Sequence, residues 1–283
     1  MKEAVFYGYE LPGFDGEALA GKLIVIEGPD SIGRSTQIGL LKPRLEAAGY
    51  AVSDTGMTRS ELAGKGIKNA KEGHTLGNIT MSLFYATDFA DRLENQIIPA
   101  LRAGFIVLTD RYIYSAMARA IVRGADPDWI RAVYGIALVP DAIFYLRVRS
   151  SEDLVPRVLA GRGFDYWESG MDMRLGEYLY DSFVAYQQLM LEQFDVMAQQ
   201  YGFEVIDADR PVDEVYEDLQ QRVWLAIEGQ AATPLCPERP PYIFNKISEE
   251  RGRDIEPVVE PFSPGLRQRV VSGKRSRIIR SVE

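Results

Sequence analysis

The stretch VIEGPDSIGRSTQ (residues 25–37) constrains this chain more than any other. Gly28 and Gly33 are followed by Arg34, Ser35 and Thr36, the spacing G-x-x-x-x-G-K-[ST] of a phosphate-binding loop with arginine at the lysine position. The apolar run KLIVIEG before it reads as a buried strand. STQIGLLKPRLEAAGY after it reads as a helix with Ile38, Leu41 and Leu45 on one face. A glycine-rich turn from strand into helix start wraps backbone N–H groups around an anion. Gly28, Ser31, Ile32, Gly33, Arg34, Ser35 and Thr36 are therefore the predicted ATP-binding residues. Ser35 offers a hydroxyl to Mg²⁺, and a cation at Arg34 reaches the β- and γ-phosphate oxygens. The competing reading is a plain glycine-rich turn. A guanidinium is planar and forked where an ammonium is compact, so the exchange leaves slower turnover and lost activity both open.

The rest of the chain alternates in the same way. AVSDTG (51–56), FIVLTDR (105–111), DAIFYLRV (141–148) and FEVIDA (203–208) read as further strands. Residues 75–104 form a long helical stretch broken near Pro99, and residues 211–227 a closing helix. Repeated strand–helix alternation predicts an α/β fold with a five-stranded parallel sheet flanked by helices, and a ligand site at the strand C-terminal ends. Residues 1–20 read as an N-terminal extension and residues 21–229 as the catalytic domain. From Ala231 the texture changes: seven of the fifteen prolines lie between Pro234 and Pro264, so 230–283 is predicted to be a proline-rich linker with a basic C-terminal extension. Residues 266–283 carry a charge of +5, leaving −14 on the remainder of a chain whose net charge is −9.

That balance argues against a general nucleic-acid binder. A single cysteine, Cys236, excludes an internal disulfide, and a single histidine, His74, argues against a Ser-His-Asp or multi-histidine metal mechanism. His74 is assigned to a surface loop with no chemical role. No run of 18 apolar residues occurs and the N-terminus has no apolar signal core, so the expected protein is soluble and cytoplasmic, with no membrane partner.

Asp110 and Arg111 end the third strand. A carboxylate at an apolar strand end beside a phosphate loop can hold Mg²⁺ and its waters, and the adjoining arginine can hold an acceptor phosphate. The alternative is an Asp-Arg pair capping the next helix. IVIEGPDSIGRSTQ, FYATDFADRLENQIIPAL and VLTDRYIYSAMA, taken in order, resemble the thymidylate kinases of the P-loop nucleoside-monophosphate kinase superfamily over roughly residues 22–228. The resemblance implies transfer of the γ-phosphoryl of ATP to a nucleoside monophosphate, dTMP first, with Mg²⁺ as cofactor, in a homodimer. It places Asp30 at the acceptor's 3′-hydroxyl, and Asp110 and Arg111 at the family's Asp-Arg pair. PRVLAGRGFDYWESGMD (156–172) matches the mobile lid, with Arg157 and Arg162 as the arginines that cover the transferring group. Ser31 stands where one subgroup has an arginine, which points to the subgroup whose catalytic arginine comes from the lid. Tyr166 and Trp167 read as packing residues.

The departures fall at the acceptor end. The family stacks a Phe on thymine and reads its carbonyl edge with an Arg four residues later. Here Phe84 is followed by Asp88, and a shift by one pairs Tyr85 with Phe89. Arg119 and Ala120 replace a Tyr-Gln pair, and GMTRSELAGK keeps Arg59 but not the rest of its motif. Asp30, Arg59, Phe84, Asp88, Arg111 and Arg119 form the predicted acceptor set. Asp88 either turns to a helix neighbour or Arg92, or reads a base carrying N–H donors. Two rival functions remain: a kinase of this fold with a different monophosphate acceptor, and a low-turnover nucleotide-binding regulator.

Overall fold

The computed structural model describes residues 2–12, 14, 18–73 and 76–229. The expectations for His74 and for 230–283 lie outside the described residues. Two short antiparallel strands, β1 (Lys2–Glu3) and β2 (Ala18–Leu19), precede a parallel five-stranded sheet. Its strands are β3 (Lys22–Glu27), β4 (Val52–Gly56), β5 (Ile106–Asp110), β6 (Ala142–Arg147) and β7 (Glu204–Asp207), in the spatial order β4-β5-β3-β6-β7. The helix α1 (Arg34–Ala47) follows β3, while α2 (Gly64–Gly73), α3 (Asn78–Arg92) and α4 (Ile98–Arg102) lie between β4 and β5. After β5 come α5 (Ile113–Val122) and α6 (Pro127–Val133); after β6, α7 (Val155–Ala160) and α8 (Leu179–Tyr201); and α9 (Val212–Ala226) after β7.

Strand alternation sorts the core onto two faces. Leu23, Val25, Val107, Ile143 and Tyr145 pack with α3, α5 and much of α8, whereas Ile24, Ile26, Leu108, Phe144 and Leu146 pack with α1 and α9. Both faces are covered, which is why these strands read as continuous apolar runs. Each fully buried aliphatic or aromatic side chain contributes about 1.5–3 kcal/mol. With β3 at the centre of the order, the chain's crossovers diverge at its C-terminal end and leave a crevice there for ligand.

The long helical stretch yields earlier than Pro99. A π-helical turn, Leu93–Ile97, separates α3 from α4, and Pro99 sits in the first turn of α4. Proline lacks the N–H that an uninterrupted ladder needs, and the wider turn upstream absorbs the defect. Several described residues of the N-terminal segment pack onto the domain: Phe6 pairs with Leu138, the Tyr7 hydroxyl lies 2.6 Å from that of Tyr114, and Leu11 and Phe14 are buried. The aromatic residues of VFYGYELPGF carry that packing. Among the described residues no helix is long and apolar enough to cross a membrane.

Candidate active site

The loop between β3 and α1 turns on residues with positive φ: Gly28 at 147°, Ser31 at 60° and Gly33 at 104°. A Cβ at Gly28 would stand 2.6 Å from the Leu146 carbonyl oxygen, so glycine is required by space as well as by backbone conformation. Gly33 meets nothing within 4 Å, and conformation alone demands it. The result is a concave run of backbone opening at the N-terminus of a 14-residue helix.

Arg34 is folded into this loop. Its Nε donates to Asp110 Oδ1 at 2.7 Å, and its Nη1 donates to the Gly28 carbonyl at 2.6 Å and to the Pro29 carbonyl. The side chain is 7% exposed. The Ser35 hydroxyl donates to the other oxygen of Asp110 at 2.7 Å. The two predicted metal-holding groups, Ser35 and Asp110, are thus in direct contact. Burial works to raise the Asp110 carboxyl, but Arg34, Arg111 and the bond from Ser35 outweigh it and bring it down to about 2. Burial, and then repulsion from Arg111, draws the Arg34 guanidinium below its ordinary value.

Arg111 follows Asp110 in the left-handed region, φ 69°, which for a non-glycine residue costs about 1–3 kcal/mol. Its amide donates to the Ile26 carbonyl at 3.1 Å, and its carbonyl accepts the Thr109 hydroxyl at 2.7 Å. Those bonds aim its guanidinium at Asp30. Glu27, wholly buried, fixes the next residues by accepting the Tyr112 amide at 2.8 Å and the Ser115 hydroxyl at 2.6 Å. Burial raises its carboxyl above the ordinary range.

Asp30 collects the acceptor side of the site. It accepts from Arg111 Nη2, from Arg119 Nη2 at 2.7 and 2.8 Å, and from Gln187 Nε2 at 3.2 Å. Burial opposes its charge, yet Arg111 and Arg119 hold its carboxyl far below the usual range. Glu168 stands nearby, and the Asp30 charge, with burial second, raises its carboxyl. Arg111 Nε, Arg119 Nε and Gln187 Oε1 are buried without a hydrogen-bond partner.

Arg59, on the loop after β4, is 45% exposed; its Nη1 donates to Asp54 at 3.2 Å and its Nη2 lies 4.0 Å from Asp110 Oδ2. From the lid segment, Arg157 donates to the Ile32 carbonyl at 3.0 Å and to the Ala208 carbonyl at 2.5 Å. It borders a cleft of about 300 Å³ that also takes in Ser31, Gly33, Thr36, Arg210 and Val212. Arg162 is exposed in the turn after α7.

Two of the predicted acceptor residues need correction. Phe84 lies beside α2, where a Cβ at Gly66 would meet its ring at 3.3 Å; the neighbouring Tyr85 instead lines the cavity between α2, α3, α5 and the lid. Asp88 is fully buried, and both of its oxygens are taken: by the amides of Thr58 and Ser60 at 2.9 and 3.0 Å and by Arg92 Nε at 3.0 Å. Of the two outcomes left open by the sequence, the structure shows the pairing with Arg92, and Asp88 does not line the cavity beside Tyr85. The cavity, lined by Lys71, Ser82, Tyr85, Arg119, Arg123 and Trp167 among others, measures about 20 Å³. That is room for about one water and not for a base.

Several contributors carry weaker sequence signals. Gln187 is a polar residue on the buried stripe of α8 that also carries Phe183, Tyr186, Met190 and Phe194, and such an exception is the visible clue. Arg123 spends its guanidinium on Asp172, the Tyr186 hydroxyl and the carbonyls of Trp167 and Arg119. The Trp167 indole in turn donates to the Lys71 carbonyl at 2.9 Å, tying the lid to α2.

Comparison with known proteins places these features among relatives. The family model described as thymidylate kinase matches residues 26–219. The chain is 40% identical over 205 residues to the probable thymidylate kinase 2 of Saccharolobus solfataricus, covering 72% of this chain and 95% of that protein. It is 28% identical over 211 residues to the thymidylate kinase of Bacillus pumilus, covering 71% and 94%. The probable thymidylate kinase of Thermococcus kodakarensis is 33% identical over 140 residues, covering 46% and 68%.

Proposed function

The chain belongs to the thymidylate kinase family, and on that premise we propose that it moves the γ-phosphoryl of ATP to dTMP, giving dTDP, through the residues gathered around Asp110 and Asp30. The observation that carries this reading is the meeting of Arg34 and Ser35 on Asp110, beside Asp30 held by Arg111 and Arg119. Donor and acceptor machinery then share one wall of the sheet's C-terminal edge.

The backbone of residues 28–36 and Arg34 bind the donor phosphates, with the 300 Å³ cleft bordered by Arg157 and Val212 as the place for the nucleoside. The Ser35 hydroxyl and the Asp110 carboxylate are hard oxygen ligands in contact, and a carboxyl held near 2 stays charged at neutral pH. They fit Mg²⁺ in the manner of sites that use few protein ligands and leave the rest to phosphate and water. When bound with ATP, the ion neutralises charge on the β- and γ-phosphate oxygens.

Arg111 and Arg59 receive the acceptor phosphate, and Asp30 meets the sugar hydroxyl. The unpartnered Nε atoms of Arg111 and Arg119 support this reading, because a buried donor without a partner costs about 1–3 kcal/mol that a bound anion recovers. Arg162, exposed on the lid, and Arg157 cover the transferring group on closure. Association into a homodimer belongs to the same proposal; Ile79 and Leu83, exposed one turn apart on α3, offer it an apolar stripe. Sedimentation or light scattering of the full chain tests that part. ATP-dependent ADP formation over dTMP, dUMP, dCMP and dGMP tests the activity. Preference for dTMP supports the reading, preference for another base would move the chain to a different acceptor, and absence of turnover with tight ATP binding would make it a binding protein.

A further inference from the structure

Asp88 holds a loop rather than a ligand. Its Oδ2 accepts the Thr58 amide at 2.9 Å and its Oδ1 the Ser60 amide at 3.0 Å. Between those two anchored residues stands Arg59, whose side chain is directed at Asp54 and Asp110. A second carboxylate from α3 reinforces the clamp: Asp91 accepts the Ser60 hydroxyl at 2.5 Å, and that hydroxyl accepts the Ala63 amide at 2.9 Å. Thr58 has φ 66°, a conformation that a β-branched residue adopts only when its surroundings impose it. Arg92, one turn along α3 and 1% exposed, donates to the same Asp88 oxygen as Thr58 and serves as its counter-ion, so Arg59 is not drawn into that role.

We propose that Asp88 is a positioning residue for phosphoryl transfer, acting through Arg59. The buried carboxylate fixes the backbone on both sides of residue 59, and the guanidinium projects from that fixed point toward the end of β5, where the acceptor phosphate arrives. Orientation is then established on folding and not at each binding event. Charge-assisted bonds to backbone amides are suited to this, since they hold the main chain and leave the side chain between them free to engage substrate. The residue touches no substrate atom. The inference rests on the reading of Arg59 as an acceptor-phosphate ligand.

A double-mutant cycle on the full chain tests it, pairing Asp88→Asn with Arg59→Ala and following ADP formation at varied dTMP, with a thermal melt of each protein. Asparagine keeps the shape but turns an N–H₂ toward groups that now donate, so the loop loses an anchor. Arg59→Ala is expected to raise the KM for dTMP about tenfold or more. Asp88→Asn is expected to raise it several-fold with a smaller change in kcat, and the double variant to be no worse than Arg59→Ala alone. If the two effects multiply, or if Asp88→Asn lowers the melting temperature while the KM for dTMP stays parental, Asp88 is structural only and the proposal falls. Parental dTMP kinetics in Arg59→Ala would remove the assignment of Arg59 itself, and this proposal with it. Should Asp88→Asn fail to fold, Asp88→Glu, which keeps the charge but displaces the carboxylate from the Thr58 and Ser60 amides, enters the same cycle with the same two outcomes.

Discussion

Arg34 offers the sharpest prediction, because the same guanidinium holds the loop together and is assigned to the donor phosphates. Its pair with Asp110 is buried, at 7% and 11% exposure. Removing one partner of such a pair costs about 3–5 kcal/mol, since the other charge is left unpaired. Asp110 keeps Ser35 and the Arg111 charge, which places Arg34→Ala near the lower bound, about 3 kcal/mol. For a domain of this size that is a fall of roughly 6–12 °C in melting temperature without nucleotide. Loss of the phosphate contact should also slow turnover by about 10²-fold or more, equivalent to roughly 2.7 kcal/mol of transition-state stabilisation. Arg34→Lys separates the two roles. An ammonium cannot reach Asp110 and two carbonyls in the fork that arginine makes, so some stability is lost, yet the charge remains available to phosphate and activity is retained or improved. Coupled-assay ADP formation and melting curves with and without Mg·ATP measure both effects. An Arg34→Ala protein that turns over like the parent would refute the assignment of Arg34 to the phosphates, whatever its stability.

Asp110→Asn should lower the rate chiefly through weaker Mg²⁺ support, seen as a raised Mg²⁺ requirement, while Arg111→Ala should raise the KM for the acceptor as well as slow transfer; unchanged acceptor kinetics in Arg111→Ala would remove that residue from the site. Trp167 lines the small cavity beside Tyr85 and Arg119 where the proposal seats the base, so its fluorescence should change on dTMP binding and the change should vanish in Trp167→Phe. A dTMP-dependent signal undiminished in that variant would place the base elsewhere. Tyr112 is wholly buried with its hydroxyl donating to the Leu138 carbonyl at 3.1 Å, and burial, then Tyr7, raises its phenol well above 10. The folded state therefore keeps a proton that the unfolded chain releases, so stability is full below pH 10 and declines above it, by up to about 1.4 kcal/mol per pH unit for this group. Tyr112→Phe should make the alkaline decline in melting temperature shallower, and an equal slope would contradict the linkage.

The sheet and the phosphate loop were legible because their signals are local. Buried strands are short apolar runs, and Gly28 and Gly33 are demanded by backbone conformation that no distant residue alters. Asp30, Asp110 and Arg111 could be placed because each sits within two residues of a strand end or that loop. The acceptor end was less legible because it is assembled from α2, α3, α5, α8 and the lid, whose relative rotation depends on packing. A single step along α3 decides whether Phe84 or Tyr85 faces the cavity, and that step is set by how α3 packs on its neighbours. The pairing of Asp88 with Arg92 could be read as one of two outcomes from their spacing of four on a helix, but the amides of Thr58 and Ser60 could not, because backbone partners leave no mark in a sequence.

The charges of the site form a balanced set, and the balance assigns different duties to similar residues. Two guanidinium groups about 4 Å apart repel by about 4 kcal/mol even at an effective dielectric of 20. A pocket built only of phosphate-binding arginines would be strained when empty. Here Arg34 rests on Asp110, Arg59 on Asp54, and Arg111 and Arg119 on Asp30. On the proposed roles, substrate phosphates would exchange partners with these carboxylates, which would let a chain of net charge −9 bind polyanions. The exchange cannot be symmetric at Asp30, since losing both arginines would leave a fully buried carboxylate unpaired. Arg119 is 6% exposed and reaches both Asp30 oxygens, whereas Arg111 is 16% exposed, bonds only one of them and sits on a strained backbone. On the proposed roles Arg111 therefore turns to the acceptor phosphate while Arg119 stays on Asp30, so Arg119→Lys, which cannot bond both Asp30 oxygens as the fork does, should raise the KM for dTMP, and an unchanged KM would refute the division.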